Sequence, residues 1–164
     1  MGPIIIRHCE AQDVDGIRAL YAEPSVYSAT LQLPHPSLAL WEKRIAGLSQ
    51  EQIQLVAISG DRLVGNVGIF MERSLRRRHV AAIGMGVHKA ARRLGVGAQL
   101  MQEAMTLAER WMQVLRIEAD VYTDNVAAIA LYEKFGFVTE GTSAGFAFRD
   151  GQYADVYRMA RLKS

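Results

Sequence analysis

The chain has 164 residues, half of them hydrophobic and 22% charged, with 19 Lys or Arg against 17 Asp or Glu. That length predicts one domain, residues 1–164, around a single sizeable core, and so even a charge balance lacks the basic surplus of a nucleic-acid binder. Cys9 is the only cysteine, which excludes an intramolecular disulfide framework and argues against a cysteine-rich metal site. No run of about twenty apolar residues reads as a membrane span, and the opening Met1-Gly2-Pro3-Ile4 lacks the basic and apolar stretches of a secretion signal. A cytoplasmic protein is the simplest expectation.

In chain order, residues 4–7 read as a short strand, and Asp13 is placed to cap a helix that buries Ile17, Leu20 and Tyr21. Residues 23–36 read as irregular, with two X-Pro steps, before Ser37 caps a second helix carrying Leu40, Trp41, Ile45 and Leu48 at helical spacing. Residues 54–59 and 62–71 read as a hairpin turned by Gly60-Asp61. A basic loop, 73–78, leads into an apolar strand, 80–87; its run Arg76-Arg77-Arg78 reads as a solvated tip. A helix over 98–113 carries a stripe of Val96, Leu100, Ala104, Leu107, Ala108 and Trp111 from its entry turn onward, and both tryptophans read as core. A strand over 116–123 follows, then a helix capped by Asn125 and stopped by Gly136, then two closing strands, 137–148 and 152–161, joined at Asp150-Gly151. Antiparallel hairpins followed by β-α units indicate an α/β (α+β) domain with helices over a mixed sheet.

The chemistry starts at Arg92-Arg93-Leu94-Gly95-Val96-Gly97, a basic, glycine-interrupted turn between strand and helix. Glycines let a ligand approach the backbone closely, and the N–H groups at a helix start favour an anion, so this turn is a place to hold phosphate. It is not a Walker loop, which needs Lys-Ser or Lys-Thr where Ala98 follows Gly97. Nor does it carry a dinucleotide fingerprint, whose third glycine is Leu at position 100. Gly84 and Gly86 interrupt the preceding apolar strand, which suggests a bulge, a close backbone approach or a packing accommodation.

Arg92-x-x-Gly95-x-Gly97 resembles the acetyl-CoA loop of the GCN5-related N-acetyltransferases, and Asn125-x-x-Ala128-x-x-Leu131-Tyr132-x-x-Phe135-Gly136-Phe137 resembles that family's second motif. The element order matches the family along nearly the whole chain. A narrower resemblance, to bacterial L-amino-acid N-acetyltransferases, lies in Thr30-Leu31-Gln32-Leu33-Pro34-His35-Pro36-Ser37, in Arg77-Arg78-His79-Val80-Ala81 and in the ending from Tyr153 to Arg161.

The resemblance implies a mixed, largely antiparallel central sheet with helices on both faces, in which the 80–87 and 116–123 strands form a splayed parallel pair that holds acetyl-CoA. Backbone groups of Gly86 and Val87 would pair with the pantetheine arm as an added strand does, with the Val87 N–H polarising the thioester carbonyl. The pyrophosphate would rest on N–H groups of Leu94, Gly95, Val96, Gly97 and Ala98, with charge from Arg92 and Arg93. Asn125 and Tyr132, seven residues apart, would look at the cofactor from one helical face. Tyr132 would act as general acid, protonating the departing thiolate. By spacing alone it also shares an apolar stripe with Ile129 and Phe135, as a core tyrosine would.

Many family members carry an acid on the strand before the glycine loop, and residues 80–87 contain none. Glu72, His79 and Glu118 remain as candidate bases, unless the acceptor amine needs none. Tyr27, Gln32 and His35 lie where the family's acceptor loop falls. The resulting expectation is direct acetyl transfer, in a ternary complex, to the α-amine of a small L-amino acid. Polyamines, protein N-termini, amine antibiotics or herbicides, and a non-catalytic acyl-CoA sensor are the rivals. A homodimer is the assembly the family suggests.

Overall fold

One seven-stranded sheet runs through the molecule. The computed structural model describes all residues, 1–164. The strands in chain order are β1 (Ile4–His8), β2 (Gln52–Ser59), β3 (Arg62–Met71), β4 (Val80–Val87), β5 (Arg116–Tyr122), β6 (Val138–Arg149) and β7 (Gln152–Leu162). Their order across the sheet is β1-β2-β3-β4-β5-β7-β6, and every neighbouring pair is antiparallel except β4–β5. The helices are α1 (Val14–Ala22), α2 (Pro24–Tyr27), α3 (Leu38–Ala46), α4 (Val96–Trp111) and α5 (Val126–Lys134). The mixed sheet expected from the element order is therefore present, with its single parallel pair at the expected strands.

Side-chain alternation along β4 and β5 divides the core in two. Ala81 and Ile83 of β4, with Ile117, Ala119 and Val121 of β5, face α4 and α5 in the larger cluster. Leu100, Met101, Ala104, Met105 and Ala108 supply the α4 side of it. Each Ile, Val, Leu or Met among them contributes about 1.5–3 kcal/mol by leaving water, and each Ala less. The opposite face receives α1 and α3, where Ile17, Leu20, Tyr21 and Trp41 form a smaller cluster with Val26 and Val56. Tyr21 and Trp41 stack with ring centroids 5.0 Å apart.

Local signals set the helix ends. Ser37 Oγ accepts the Leu40 N–H at 3.0 Å, and Asn125 Oδ1 accepts the Ala128 N–H at 3.2 Å, as N-caps do. Gly136 takes φ +84°, the left-handed conformation that ends α5. Asp13 departs from its expected role. Its carboxylate turns back to accept the Glu10 N–H at 2.8 Å and N–H groups of Arg7 Nη1 and Nη2, at 2.7 and 2.9 Å. It thus ties β1 to the start of α1, and its bond to Arg7 holds its pKa below the usual carboxylate value.

Three further expectations change. Pro24–Tyr27 is a one-turn helix inside the segment read as irregular, because Pro starts a helix readily at its first position. Trp111 is 79% exposed rather than core, since it sits at the very end of α4, where the buried stripe has already rotated past the sheet. Strand β4 carries no bulge: its register with β3 is continuous from Gly65 opposite Val87 to Met71 opposite Ala81. Gly86 instead makes room for α2, since a Cβ there would meet Val26 Cγ1 at 2.9 Å. No helix is long and apolar enough to cross a membrane.

Candidate active site

Strands β4 and β5 pair over only three rungs, Val80 with Arg116, Ala81 with Ile117 and Ala82 with Glu118. Beyond them β4 stays with β3 and β5 stays with β7, so the two part company. A cavity of about 710 Å³ opens at the separated ends, lined by Ser25 and Val26 of α2, Met85 to Val87 of β4, the glycine loop, and Asn125, Ala128 and Leu131 around α5.

The backbone of β4 offers this cavity specific groups. His88 donates its N–H to Val64 C=O at 2.8 Å, which makes Gly65–Val87 a rung whose own amides do not bond across. The Val87 N–H and C=O therefore point into the splay, and by alternation so do those of Met85. Gly86 turns its amide groups to β3, opposite Asn66. The family resemblance implies Gly86 as a pairing partner of the ligand; the alternation gives that position to Met85, a residue only the register selects.

The glycine loop has the form of an anion cradle. Arg93 and Gly95 both take left-handed φ, +63° and +83°, and α4 begins at Val96. Gly95 caps the helix without a side chain. The first helical bond is Gln99 N–H to Gly95 C=O at 3.0 Å, so the N–H groups of Val96, Gly97 and Ala98 precede it with no helical acceptor. A 16-residue helix adds its dipole to that end. Gly97 serves packing as well, since a Cβ there would meet Leu131 Cδ2 at 3.2 Å. Arg92 bridges the cavity wall, its Nε donating to Val87 C=O at 3.4 Å and its Nη2 to Ser25 C=O at 3.2 Å, while Leu94 is exposed on the loop. An uncapped N–H cradle, an unpaired strand edge and a cavity lined by both fit the diphosphate and pantetheine of coenzyme A.

Tyr132 is 5% exposed and packs edge-on against Phe137 at 5.0 Å. It is turned inward beneath the cavity, whereas Leu131 and Asn125 line it. The seven-step helical count does not carry over, because Asn125 is an N-cap with φ −89°, ψ 75° and lies outside the helical path. Burial raises the Tyr132 phenol well above its ordinary pKa, and the charge of Asp120 raises it further. The phenol is therefore protonated at neutral pH, as a proton donor must be.

The candidate bases are not brought to the cavity. His79 is exposed at the other end of β4, where its C=O receives the N–H groups of Leu115 and Arg116 at 2.8 and 3.1 Å. Eight residues of strand, about 26 Å at 3.3 Å per residue, separate it from Val87. Glu118 lies on the last paired rung, not in the splayed part, and is held by Arg77 at 2.7 Å and Arg116 at 3.0 Å. Burial pushes its pKa up, but the two arginines outweigh that and leave it lowered, which weakens it as a proton acceptor. Glu72 meets the same end of β4, donating its N–H to Val80 C=O.

The acceptor-loop residues flank the other face of the sheet. Tyr27 ends α2 half-buried, Gln32 Oε1 accepts from Arg44 at 2.6 Å, and His35 is exposed at φ +58°. This loop is moored to β5 by Tyr122, whose hydroxyl donates to Thr30 C=O at 3.0 Å. Tyr21, whose hydroxyl donates to Asn66 Oδ1, closes the same face. Asp120 stands two residues before Tyr122 on that face, paired to Arg158 at 2.8 Å. The sequence shows Glu118 and Asp120 as equivalent outward acids; only the point where strand pairing ends separates them.

Comparison with known proteins agrees with this geometry. Residues 15–137 match the Acetyltransferase (GNAT) family. The L-amino acid N-acetyltransferase AaaT of Escherichia coli (strain K12) is 42% identical over 163 residues, 99% of this chain and 100% of that protein. The crystal structure of an acetyltransferase of the GNAT family from Streptococcus pneumoniae superposes with TM-score 0.86 at 28% identity, covering 99% of this chain and 100% of that one. A GNAT superfamily phosphinothricin acetyltransferase from Sinorhizobium meliloti, in complex with AcCoA, shares the fold with TM-score 0.86 at 21% identity, covering 97% of this chain and 88% of that one.

Proposed function

The chain belongs to the Acetyltransferase (GNAT) family, and from that premise we propose that it works as one acetyltransferase domain, residues 1–164, that acetylates the α-amine of an L-amino acid by direct transfer in a ternary complex. Acetyl-CoA is the donor and supplies the acetyl group as a thioester. The observation that carries the reading is the parting of β4 from β5 beside the uncapped start of α4. It leaves one strand edge and one N–H cradle aimed into the same cavity. The amino-acid acceptor is supported by the full-length 42% identity to an L-amino acid N-acetyltransferase.

Each residue then has a defined task. N–H groups of Val96, Gly97 and Ala98 hold the diphosphate, and Arg92 and Arg93 add charge beside it. The edge amides of Met85 and Val87 take the extended arm as β-addition, and the Val87 N–H faces the thioester oxygen. Tyr132 keeps its proton in a buried site and hands it to the departing sulfur only as negative charge develops there, because a phenol is a weaker acid than a thiol and burial weakens this one further. Tyr27, Gln32 and His35 form the acceptor loop over the opposite face. The reading includes a cytoplasmic homodimer, which light scattering of the purified chain and fractionation of its host would establish or exclude.

Thiol release from acetyl-CoA, measured across L-amino acids, spermidine and short peptides, tests the proposal. Turnover confined to L-amino acids is the expected result. Turnover on spermidine or peptide N-termini alone would move the acceptor class, and coenzyme A binding without turnover on any amine would make the protein a sensor.

A further inference from the structure

We infer that Asp120, at the mouth of the β4–β5 splay, is the group that anchors the acceptor ammonium and receives its proton, with Arg158 as its positioning residue. The inference rests on the acetyltransferase reading above. An ammonium has no lone pair, so attack on a thioester requires that a proton be removed first. Strand β4 carries no acid to do this, Glu118 is committed to two arginines, and His79 lies at the far end of the strand.

The register places Asp120 where such a group is needed. The last β4–β5 rung is Ala82 with Glu118. Two residues on, the same outward face carries Gly84 on β4 and Asp120 on β5, with no pairing between the strands to close the gap. A Cβ at Gly84 would meet nothing within 4 Å, and Ala82 and Gly84 are both exposed. The floor between the strands is therefore open to a small molecule. On its β3 side the Phe70 ring folds over Gly68, close enough that a Cβ there would meet Phe70 Cε2 at 2.7 Å. On its β5 side stand Asp120, its side chain 40% exposed, and Arg158 at 2.8 Å from it.

The proposed acid and base stand on opposite faces of the sheet. Tyr132 approaches from the α5 side of the sheet and Asp120 from the α1 side, yet Asp120 is the carboxylate whose charge reaches the Tyr132 phenol. The charged groups around Asp120 are Arg158 from β7 and Glu118 on its own strand; Tyr132 is the titratable group from α5. Burial raises the Asp120 pKa, Arg158 lowers it and Glu118 raises it, for a net rise that favours proton uptake. Arg158 is itself steadied by the Phe146 ring at 5.8 Å.

The step balances. The ammonium gives one proton to the Asp120 carboxylate, which later passes it to water. The nitrogen–carbon bond forms, the carbon–sulfur bond breaks with its electron pair on sulfur, and Tyr132 protonates that sulfur. Tyr132 is restored as the new amide nitrogen sheds its second proton.

The test compares wild type, D120N and the double variant A82D/D120N, which returns a carboxylate to the same open floor from β4. Acceptors are L-amino acids, assayed for kcat/KM against pH; their affinity is measured by calorimetry on the protein saturated with coenzyme A, which needs no turnover. D120N is expected to lose about 100-fold in kcat/KM and the acid limb of the pH profile, with coenzyme A affinity unchanged, and the double variant to regain about tenfold. Acceptor affinity falls in D120N as well. With an active wild type, D120N activity within about threefold of it and an unchanged pH profile would overturn the inference. Should the wild type turn over no amine, the acetyltransferase reading fails on its own. L-amino-acid affinity equal in wild type and D120N would then overturn the anchoring role separately.

Discussion

The two halves of the cleft are built from different materials. The cofactor half is mostly backbone: an unpaired β4 edge, three N–H groups at the start of α4, and a loop that turns through left-handed Arg93 and Gly95. The half we propose for the acceptor is mostly side chain: Tyr21, Phe70, Asp120, Tyr122 and Arg158 around an open floor at Gly84. A ligand shared by a whole family can be held by atoms every residue has. A choice among amines needs atoms that differ from one residue to the next.

That contrast can be broken by substitution. The largest effect is expected from Tyr132→Phe, which removes one oxygen. kcat should fall about 100-fold while coenzyme A affinity, measured by calorimetry, stays put, because a general acid contributes in the transition state. An unchanged kcat, with chemistry rate-limiting, would return Tyr132 to the core.

Next comes Asp13→Asn, which probes the scaffold of the acceptor half. Loss of the charged bond to Arg7 should cost about 2 kcal/mol in denaturant unfolding at neutral pH. The sign of the pH dependence follows from the lowered folded pKa of Asp13. Its stabilisation is full above the unfolded carboxylate value, about 3.9, and is lost as pH falls through the lower folded value. The D13N variant should show a flatter acid limb in Tm against pH.

On the cofactor half, backbone should outweigh charge. Gly95→Val forces a β-branched residue into φ +83°, costing about 1–2 kcal/mol, or roughly tenfold in acetyl-CoA Kd. Arg92→Ala removes an exposed guanidinium and should raise Kd only about threefold. The reverse ranking by calorimetry would show the cradle to be electrostatic instead. The smallest effect belongs to Trp111→Gln on the exposed end of α4, with stability within about 0.5 kcal/mol of wild type and no change in turnover.

Much of this was legible along the chain because the signals are local. Ser37, Asn125 and Gly136 act within a few residues of themselves, and the helix ends fall where they stand. The Gly95 turn was readable for the same reason: no other residue takes its conformation so cheaply. Asp13 and Trp111 went the other way. Arg7 competes for the Asp13 carboxylate from another element, and the rotation of α4 leaves Trp111 past the end of the sheet.

The sequence alone determined the element order and the anion-holding turn, since their signals lie within single segments, and the resemblance of that turn and of the Asn125-to-Phe137 motif to a known family implied the coenzyme. Only the tertiary structure decided which acid faces the gap. Glu118 and Asp120 share a strand, a face and a charge. They are distinguished by where β4 leaves β5 and by which arginines other elements bring to each, and those are distances through space.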